Sequence, residues 1–217
     1  MSLMMPGVYI GEVEEKSYEI ATTYQLSYYV SSALITLDLI RDPDEDMLGR
    51  FSCVARYYRY YVDHLFYLLG QISSRFMKKR KQKDECKTEH NECNEQNERN
   101  ERNRRNYQFS KDTFKILSNR KPRNLIEHLD ERNIRITNAY GIVGGFNVVR
   151  EGSPPDVVES VTKNRKNYPY TLNLIDGKVM FCESKSDQIT TYDIYLKDIE
   201  TELLMLQKNI EDFKSFL

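Results

Sequence analysis

The sequence predicts a mainly α-helical protein, an antiparallel bundle of four to five helices with a small β hairpin or meander inserted before the C-terminal helix. Three long segments repeat apolar residues at alternating spacings of four and three, which places these residues on one helix face. Between about residues 139 and 188 this period gives way to glycine-interrupted apolar runs that are typical of strands. The short turns between the helical segments favour antiparallel neighbours.

The first two helices are predicted over residues 17–40 and 45–80. The apolar stripe of the first consists of Leu26, Val30, Ala33, Leu37 and Ile40. The stripe of the second consists of Val54, Tyr58, Tyr61, Leu65, Leu68, Ile72 and Phe76. Tyrosine is dense in this second helix, at Tyr57, Tyr58, Tyr60, Tyr61 and Tyr67. The spacing favours a core whose hydroxyl tips reach the rim, and the alternative is a platform on which nucleic-acid bases stack.

Residues 82–107 are predicted to be a charged, asparagine-rich loop or linker, or a frayed helical extension. Asparagine recurs every third residue from Asn91 to Asn106, which does not match the helical period, so we expect no residue of this repeat to be buried. This charged region has basic ends, which include Lys78, Lys79, Arg80, Arg104 and Arg105. They are candidates for contacts with RNA phosphates, although a charge run is more commonly a solvated surface.

The second half of the chain is predicted to contain a further helix, a β insertion over residues 139–188 and the C-terminal helix. Proline at a first helical position predicts a helix from Pro122 to about Thr137. A glycine-interrupted strand opens the insertion, and a loop containing Pro154-Pro155 follows. The clearest hairpin is TLNLIDGKVMFC, with Asp176-Gly177 as a two-residue turn. The final helix is expected from about Thr190.

Composition predicts a single domain over residues 1–217. Lysine and arginine number 32 against 33 aspartate and glutamate residues, so no global field draws the chain to nucleic acid or to anionic membranes. Four dispersed cysteines favour a reducing compartment. We recognise neither a signal peptide nor an apolar run of membrane-spanning length. We therefore expect a cytoplasmic protein without membrane contact.

No metal site and no cofactor are predicted. Cys86, His90 and Cys93 are closely spaced candidate zinc ligands, but a structural zinc site needs four ligands and the sequence offers no fourth nearby. The glycines at 141–145 lack the Lys-Ser/Thr pair of a phosphate-binding loop. They are better explained as a bend or bulge in a strand.

One stretch carries the functional hypothesis, KPRNLIEHLDER at residues 121–132. At about 100° per residue, its polar side chains share one helix face and its apolar residues lie on the opposite face. Asn124 and His128 lie above one another at i and i+4. Arg123 is expected in the first turn, where unpaired backbone N–H groups favour an anion such as a phosphate.

The motif Arg123-Asn124-x-x-x-His128 and the Asp-Glu-Arg that follows it resemble the arginine–polar–histidine signature of HEPN domains. These are helical bundles of prokaryotic toxins, abortive-infection proteins and CRISPR-associated nucleases. The resemblance implies a homodimer in which two motifs form a metal-independent endoribonuclease of toxin–antitoxin or phage-defence type. His128 would be the acid/base or stabilising group, Arg123 would hold the scissile phosphate, and Asn124 would orient its neighbours. RNA and a cognate antitoxin protein are the implied partners.

Two alternatives compete with this interpretation. The bare spacing is not specific, since Arg59 and His64 repeat it inside the second helix. Arg123 and Glu127 could simply form an exposed ion pair, worth roughly 0.3–0.5 kcal/mol. The HEPN fold also serves non-catalytic proteins, so an interaction or nucleotide-binding module is the alternative function and enzyme activity is left open.

Overall fold

The computed structural model describes residues 10–43, 54–77, 87–119, 121, 124, 146–185 and 188–217. This part of the chain is mainly helical, with a four-stranded sheet before the C-terminal helix. The helices are α1 (Ile10–Arg41), α2 (Val54–Ser74), α3 (Lys87–Asn106), α4 (Pro155–Lys163) and α5 (Leu196–Lys214), with a short 3₁₀ turn at Arg165–Asn167. The strands are β1 (Phe146–Val149), β2 (Tyr170–Asn173), β3 (Lys178–Lys185) and β4 (Gln188–Tyr195). None of the described helices combines the length and the apolarity needed to cross a membrane.

Helices α1 and α2 pack through the stripes that the sequence predicts. All five stripe residues of α1 are buried, as are six of the seven stripe residues of the second segment. The Tyr57 hydroxyl donates to the Leu39 carbonyl at 3.1 Å, and Arg75, just past α2, donates to Gln25 at 2.6 Å. The start of α2 therefore lies beside the end of α1, and the two helices run in opposite directions.

Helix α5 packs on α1 in the same way. Arg41 pairs with Glu200 at 2.9 Å near the start of α5, while Lys214 at its end donates to Ser27 at 3.0 Å. Its buried stripe consists of Ile199, Leu203, Leu206 and Ile210. These residues join α1, α2 and one face of the sheet in a single hydrophobic cluster.

The β element is larger than the predicted hairpin or meander. Its strand order is β1-β2-β3-β4, and β1 pairs in parallel with β2, whereas the other two pairs are antiparallel. Parallel strands need a crossover, and α4 provides it. The predicted loop contains Pro154 but not Pro155, because Pro155 occupies a first-turn position of α4, where its missing N–H costs nothing. Val161 of α4 packs on the sheet face opposite the helices.

The predicted hairpin between β2 and β3 is confirmed, but its loop is longer than two residues. Asn173 pairs with Lys178, which leaves four residues in the turn. Asn173 accepts the backbone N–H of Asp176 at 3.0 Å, and Gly177 has a φ of 63°. The left-handed conformation explains the glycine, and the asparagine cap explains the length of the loop.

The predicted start of the last helix at about Thr190 is wrong, as is the end of the β insertion at 188. Residues 188–195 form β4, which pairs with β3 at eight positions, and α5 begins only at Leu196. Tyr192 packs against the core and Ile194 is buried in it, whereas Asp193 on the other face pairs with Arg165. This alternation is the period of a strand.

The asparagine repeat is helical, which agrees with the helical alternative and not with the loop, but the prediction that none of its residues is buried is wrong. Residues 87–106 form α3, and both Asn100 and Asn103 are buried. The Asn100 amide donates to the carbonyls of Ser74 and Met77, at 3.3 and 2.8 Å, and the Asn103 amide donates to the Arg75 carbonyl at 3.0 Å. Carbonyls at a helix end lack intrahelical partners, so the repeat supplies the donors that the end of α2 needs.

Candidate functional site

Residues 107–119 lead from α3 to the 121–132 stretch, and this segment lies along α5. At the end of α3, the Tyr107 hydroxyl shares a hydrogen bond with Thr23 at 2.9 Å, and the Tyr107 carbonyl accepts from Asn209 at 2.8 Å. Burial raises the pKa of Tyr107, so this hydroxyl stays neutral and serves as a structural link. The segment therefore starts near the C-terminal end of α5.

A stack of three phenylalanine rings fixes the next part of the segment. The rings of Phe76 and Phe109 lie 4.0 Å apart and those of Phe109 and Phe114 lie 4.6 Å apart, with planes parallel within 2° in both pairs. All three side chains are buried. The stack ties the segment to the end of α2, next to the carbonyls that α3 caps.

A buried carboxylate holds the segment near the middle of α5. The oxygens of Glu202 accept the backbone N–H of Ile116, at 2.9 and 3.0 Å, and one of them accepts the N–H of Leu117 at 2.9 Å. Burial raises the pKa of Glu202, and these backbone hydrogen bonds oppose that rise. Sequence reasoning missed this anchor. The sequence feature that could have indicated this anchor is an acidic residue next to Leu203, which belongs to the buried stripe of α5.

Two residues of the functional stretch are described, and both are exposed. Lys121 and Asn124 are helical, which agrees with the predicted helix at this point of the chain. The Lys121 ammonium lies 5.3 Å above the ring of Tyr192 on β4, a distance at which a cation is attracted by the ring face. Its backbone N–H donates to the Asn119 side chain at 3.0 Å. The stretch therefore starts beside the last strand, with Asn124 facing solvent.

The predicted site residues are only partly covered by the described residues. Arg123, His128, Lys78, Lys79 and Arg80 lie outside them. Arg105 is exposed.

Arg104 has a structural role, since its Nε donates to the Phe76 carbonyl at 2.6 Å and helps to cap α2. Arg104 and Arg105 belong to the end of the segment near Asn209, whereas Lys121 belongs to the other end. Thirteen residues of helix separate Asn209 from Leu196, about 20 Å at 1.5 Å per residue.

The second arginine–histidine pair, Arg59 and His64, is explained without catalysis. Arg59 pairs with Asp63 at 3.5 Å, and Asp63 also accepts the buried hydroxyl of Tyr170 at 2.7 Å. Burial, with the adjacent Asp63 charge, raises the pKa of Tyr170 far above its usual value, so the hydroxyl remains a donor. Arg59 is thus directed to its neighbouring carboxylate and away from His64.

The tyrosines of α2 form two groups, one buried and one exposed. Tyr57, Tyr58 and Tyr61 are buried, as a core requires. Tyr60 and Tyr67 are exposed, and the His64 ring lies between theirs, with centroids 6.3 and 6.4 Å away and planes tilted by 7° and 18°. Tyr60, His64 and Tyr67 therefore form an exposed aromatic column on α2.

Comparison of the chain with known protein families, with curated proteins and with solved structures finds no match. Among the described residues, no group of three or more His, Cys, Asp and Glu side chains is arranged to hold a metal ion. The function therefore has to be argued from the chain's own residues.

Proposed function

We propose that this chain is a HEPN-like protein whose helices form an antiparallel bundle and that it acts as a homodimeric, metal-independent endoribonuclease. Arg123 binds the scissile phosphate, Asn124 orients its neighbours, and His128 is the acid/base or stabilising group. A toxin or phage-defence role with a cognate antitoxin is the biological setting that this activity suits.

The observation that carries the proposal is the exposure of Asn124 at a helical position of the motif. On the helix that the sequence predicts here, His128 at i+4 shares the face of Asn124. Glu202 and the phenylalanine stack hold the chain a few residues before the motif. A fixed approach of this kind supports catalysis, because reacting groups must be held in a defined geometry.

The reaction is attack of a ribose 2′-hydroxyl on the adjacent phosphate. The hydroxyl loses its proton to a base, the P–O5′ bond breaks, and the departing 5′ oxygen takes up a proton. The products are a 2′,3′-cyclic phosphate and a 5′-hydroxyl end. Imidazoles of two subunits can serve as base and acid, and the guanidinium of Arg123 stabilises the charge that develops on the phosphate oxygens.

The decisive experiment is cleavage of a mixed RNA substrate in EDTA by the wild type and by His128→Ala. We expect wild-type cleavage with cyclic-phosphate ends and a loss of about 100-fold or more in the variant, the scale of general acid–base catalysis. His64→Ala is the matched control, because it removes the histidine of the other arginine–x4–histidine pair, and it should cleave like the wild type.

Arg123→Ala and Arg59→Ala form a second matched pair. The first should lose cleavage, whereas the second removes only an exposed ion pair and should retain it. Equal cleavage by the wild type and His128→Ala, or no cleavage by the wild type, contradicts the nuclease.

A non-catalytic interaction or nucleotide-binding module is the second candidate, and the exposed aromatic column favours it. Rings of this kind are common at binding surfaces, where they bury a large area at low entropic cost. This function predicts that the wild type does not cleave RNA yet binds a nucleotide or protein partner, and that Tyr67→Ala weakens this binding.

A further inference from the structure

Helix α1 carries apolar residues on two opposite faces. One face is the core stripe around Leu37, which is buried. On the other, Ile20, Tyr24, Tyr28 and Ile35 are exposed by 38%, 69%, 67% and 60%. A surface helix normally has one apolar face, so the second needs an explanation. Contiguous exposed apolar patches commonly mark interaction sites.

The four exposed residues form a continuous stripe. At 100° per residue they lie within about 80° of one another, and Ser31 and Asp38 fall inside the same sector. From Ile20 to Ile35 the stripe extends about 22 Å along the helix. Lys16 borders one end and Asp38 lies at the other, and both side chains are exposed.

The stripe is self-complementary when two copies of α1 are placed antiparallel. Its midpoint falls between Ser27 and Tyr28, so residues whose numbers add up to about 55 face each other. Ile20 then meets Ile35 of the other copy, and the large Tyr24 meets the small Ser31. Lys16 comes within reach of the oppositely charged Asp38. Each of these contacts occurs twice, as a two-fold interface requires.

We infer that the outer face of α1 is the homodimer interface of this protein, formed by two antiparallel copies of α1 around a two-fold axis near Tyr28. The inference rests on the proposed function only in naming a homodimer. It does not require nuclease activity, because the stripe is a property of α1 alone and includes none of the motif residues.

The exposed area indicates how strong such a dimer is. A tyrosine side chain contributes about 150–250 Å² when fully buried, so two tyrosines that are two-thirds exposed and two partly exposed isoleucines offer roughly 350–500 Å² per copy. A standard interface buries about 800 Å² per partner. We therefore expect a reversible dimer that dissociates on dilution.

The first test is sedimentation of the full chain over a series of concentrations. The wild type should shift from monomer to dimer as concentration rises. Tyr28→Glu places two like charges next to the two-fold axis and should raise the dimer Kd by about 100-fold. Tyr195→Glu is the matched control, since Tyr195 is an exposed tyrosine, 44%, at the end of β4 and away from α1's outer stripe, and the Kd of this variant should stay at the wild-type value.

The second test is a charge swap that probes the antiparallel pairing itself. Lys16→Asp and Asp38→Lys should each raise the Kd roughly fivefold, because each puts like charges together at two symmetric positions. The double variant restores opposite charges and should recover the wild-type Kd. Recovery also shows that the single variants are folded.

Several results would overturn the inference. These are a wild type that is monomeric at every concentration, a Tyr28→Glu dimer of wild-type affinity, or a double swap as weak as the single variants. The outcome is separable from that of the nuclease proposal. His128→Ala should dimerise like the wild type, and a dimer without RNA cleavage would refute the nuclease while supporting this interface.

Discussion

Asn100→Leu tests the assignment of the asparagine repeat as the cap of α2. Leucine is close to asparagine in size, so the change removes the amide while keeping most of the packing. The Asn100 amide donates to Ser74 and Met77, and its oxygen accepts from Gln96 at 2.9 Å. Leucine leaves two carbonyls at the end of α2 without this donor.

The size of the effect follows from these contacts. A buried acceptor that loses its donor costs about 1–3 kcal/mol, and we take the lower half of that range because Ser74 is the last residue of α2 and Met77 lies three residues beyond it. Two carbonyls then cost about 2–4 kcal/mol. Leucine has a higher helix propensity than asparagine, which offsets this by roughly 0.5 kcal/mol. We expect a net loss of about 2–3 kcal/mol in the free energy of unfolding.

The assay is urea denaturation followed by circular dichroism, with Asn94→Leu as the matched control. Asn94 belongs to the same repeat and the same helix but is only partly buried. Its replacement should leave the free energy of unfolding within about 0.5 kcal/mol of the wild type. Equal midpoints for the two variants would refute the capping role of Asn100.

Three further predictions concern the sheet and the segment before the motif. Glu202→Gln should lower the free energy of unfolding by about 1–3 kcal/mol. Because the pKa of Glu202 is raised in the folded protein, the native state retains a proton that the unfolded state releases. The free energy of unfolding of the wild type should therefore fall as pH rises from about 4.5. Urea midpoints measured against pH should show less of this fall in the variant. Tyr170→Phe removes the hydroxyl that Asp63 accepts and should cost about 1–2 kcal/mol in thermal melts, whereas the exposed Tyr60→Phe should be neutral. Gly177→Ala should cost about 1 kcal/mol, since no atom lies within 4 Å of the added carbon and only the positive φ is penalised; unchanged stability would refute the left-handed turn.

The parts of the fold that the sequence predicts well are those with local signals. The stripes of α1 and α2 recur over many turns, and burial follows them closely. The hairpin at Asp176 and Gly177 is also local, because a turn residue and the flanking apolar runs lie within twelve residues. Such signals need no knowledge of the partner surface.

The wrong predictions concern elements whose structure depends on contacts with residues that are distant in the sequence. The sequence does not separate strand β4 from the last helix, because α5 has no capping side chain at Tyr195 to mark its start. The asparagine repeat has no helical apolar period, yet it forms a helix because α2 offers carbonyls to its amides. A three-residue step turns by about 300° around a helix, so only neighbouring repeats such as Asn100 and Asn103 can face α2 together.

The candidate site also combines local features, which the sequence predicts, with long-range contacts, which it does not. The helical pattern at Lys121 and Asn124 is local, and the structure agrees with it. The Glu202 anchor is separated from Ile116 by 86 residues, so no sequence window contains both partners. The hydrogen bond from the Arg104 Nε to the Phe76 carbonyl is likewise a contact between residues distant in the sequence, and phosphate binding by Arg104 stays a prediction.

Variants of Glu202 and His128 can distinguish a residue that positions the motif from a residue that takes part in the chemistry of the proposed nuclease. Glu202 contacts the segment before the motif and is buried, so it has no access to RNA. If the motif needs a fixed approach, Glu202→Gln should reduce cleavage even under conditions where the variant is fully folded, and it should leave the pH profile of cleavage in place. His128→Ala should remove the ionisation that shapes that profile. A Glu202 variant that is folded and fully active would show that the motif keeps its geometry without this anchor.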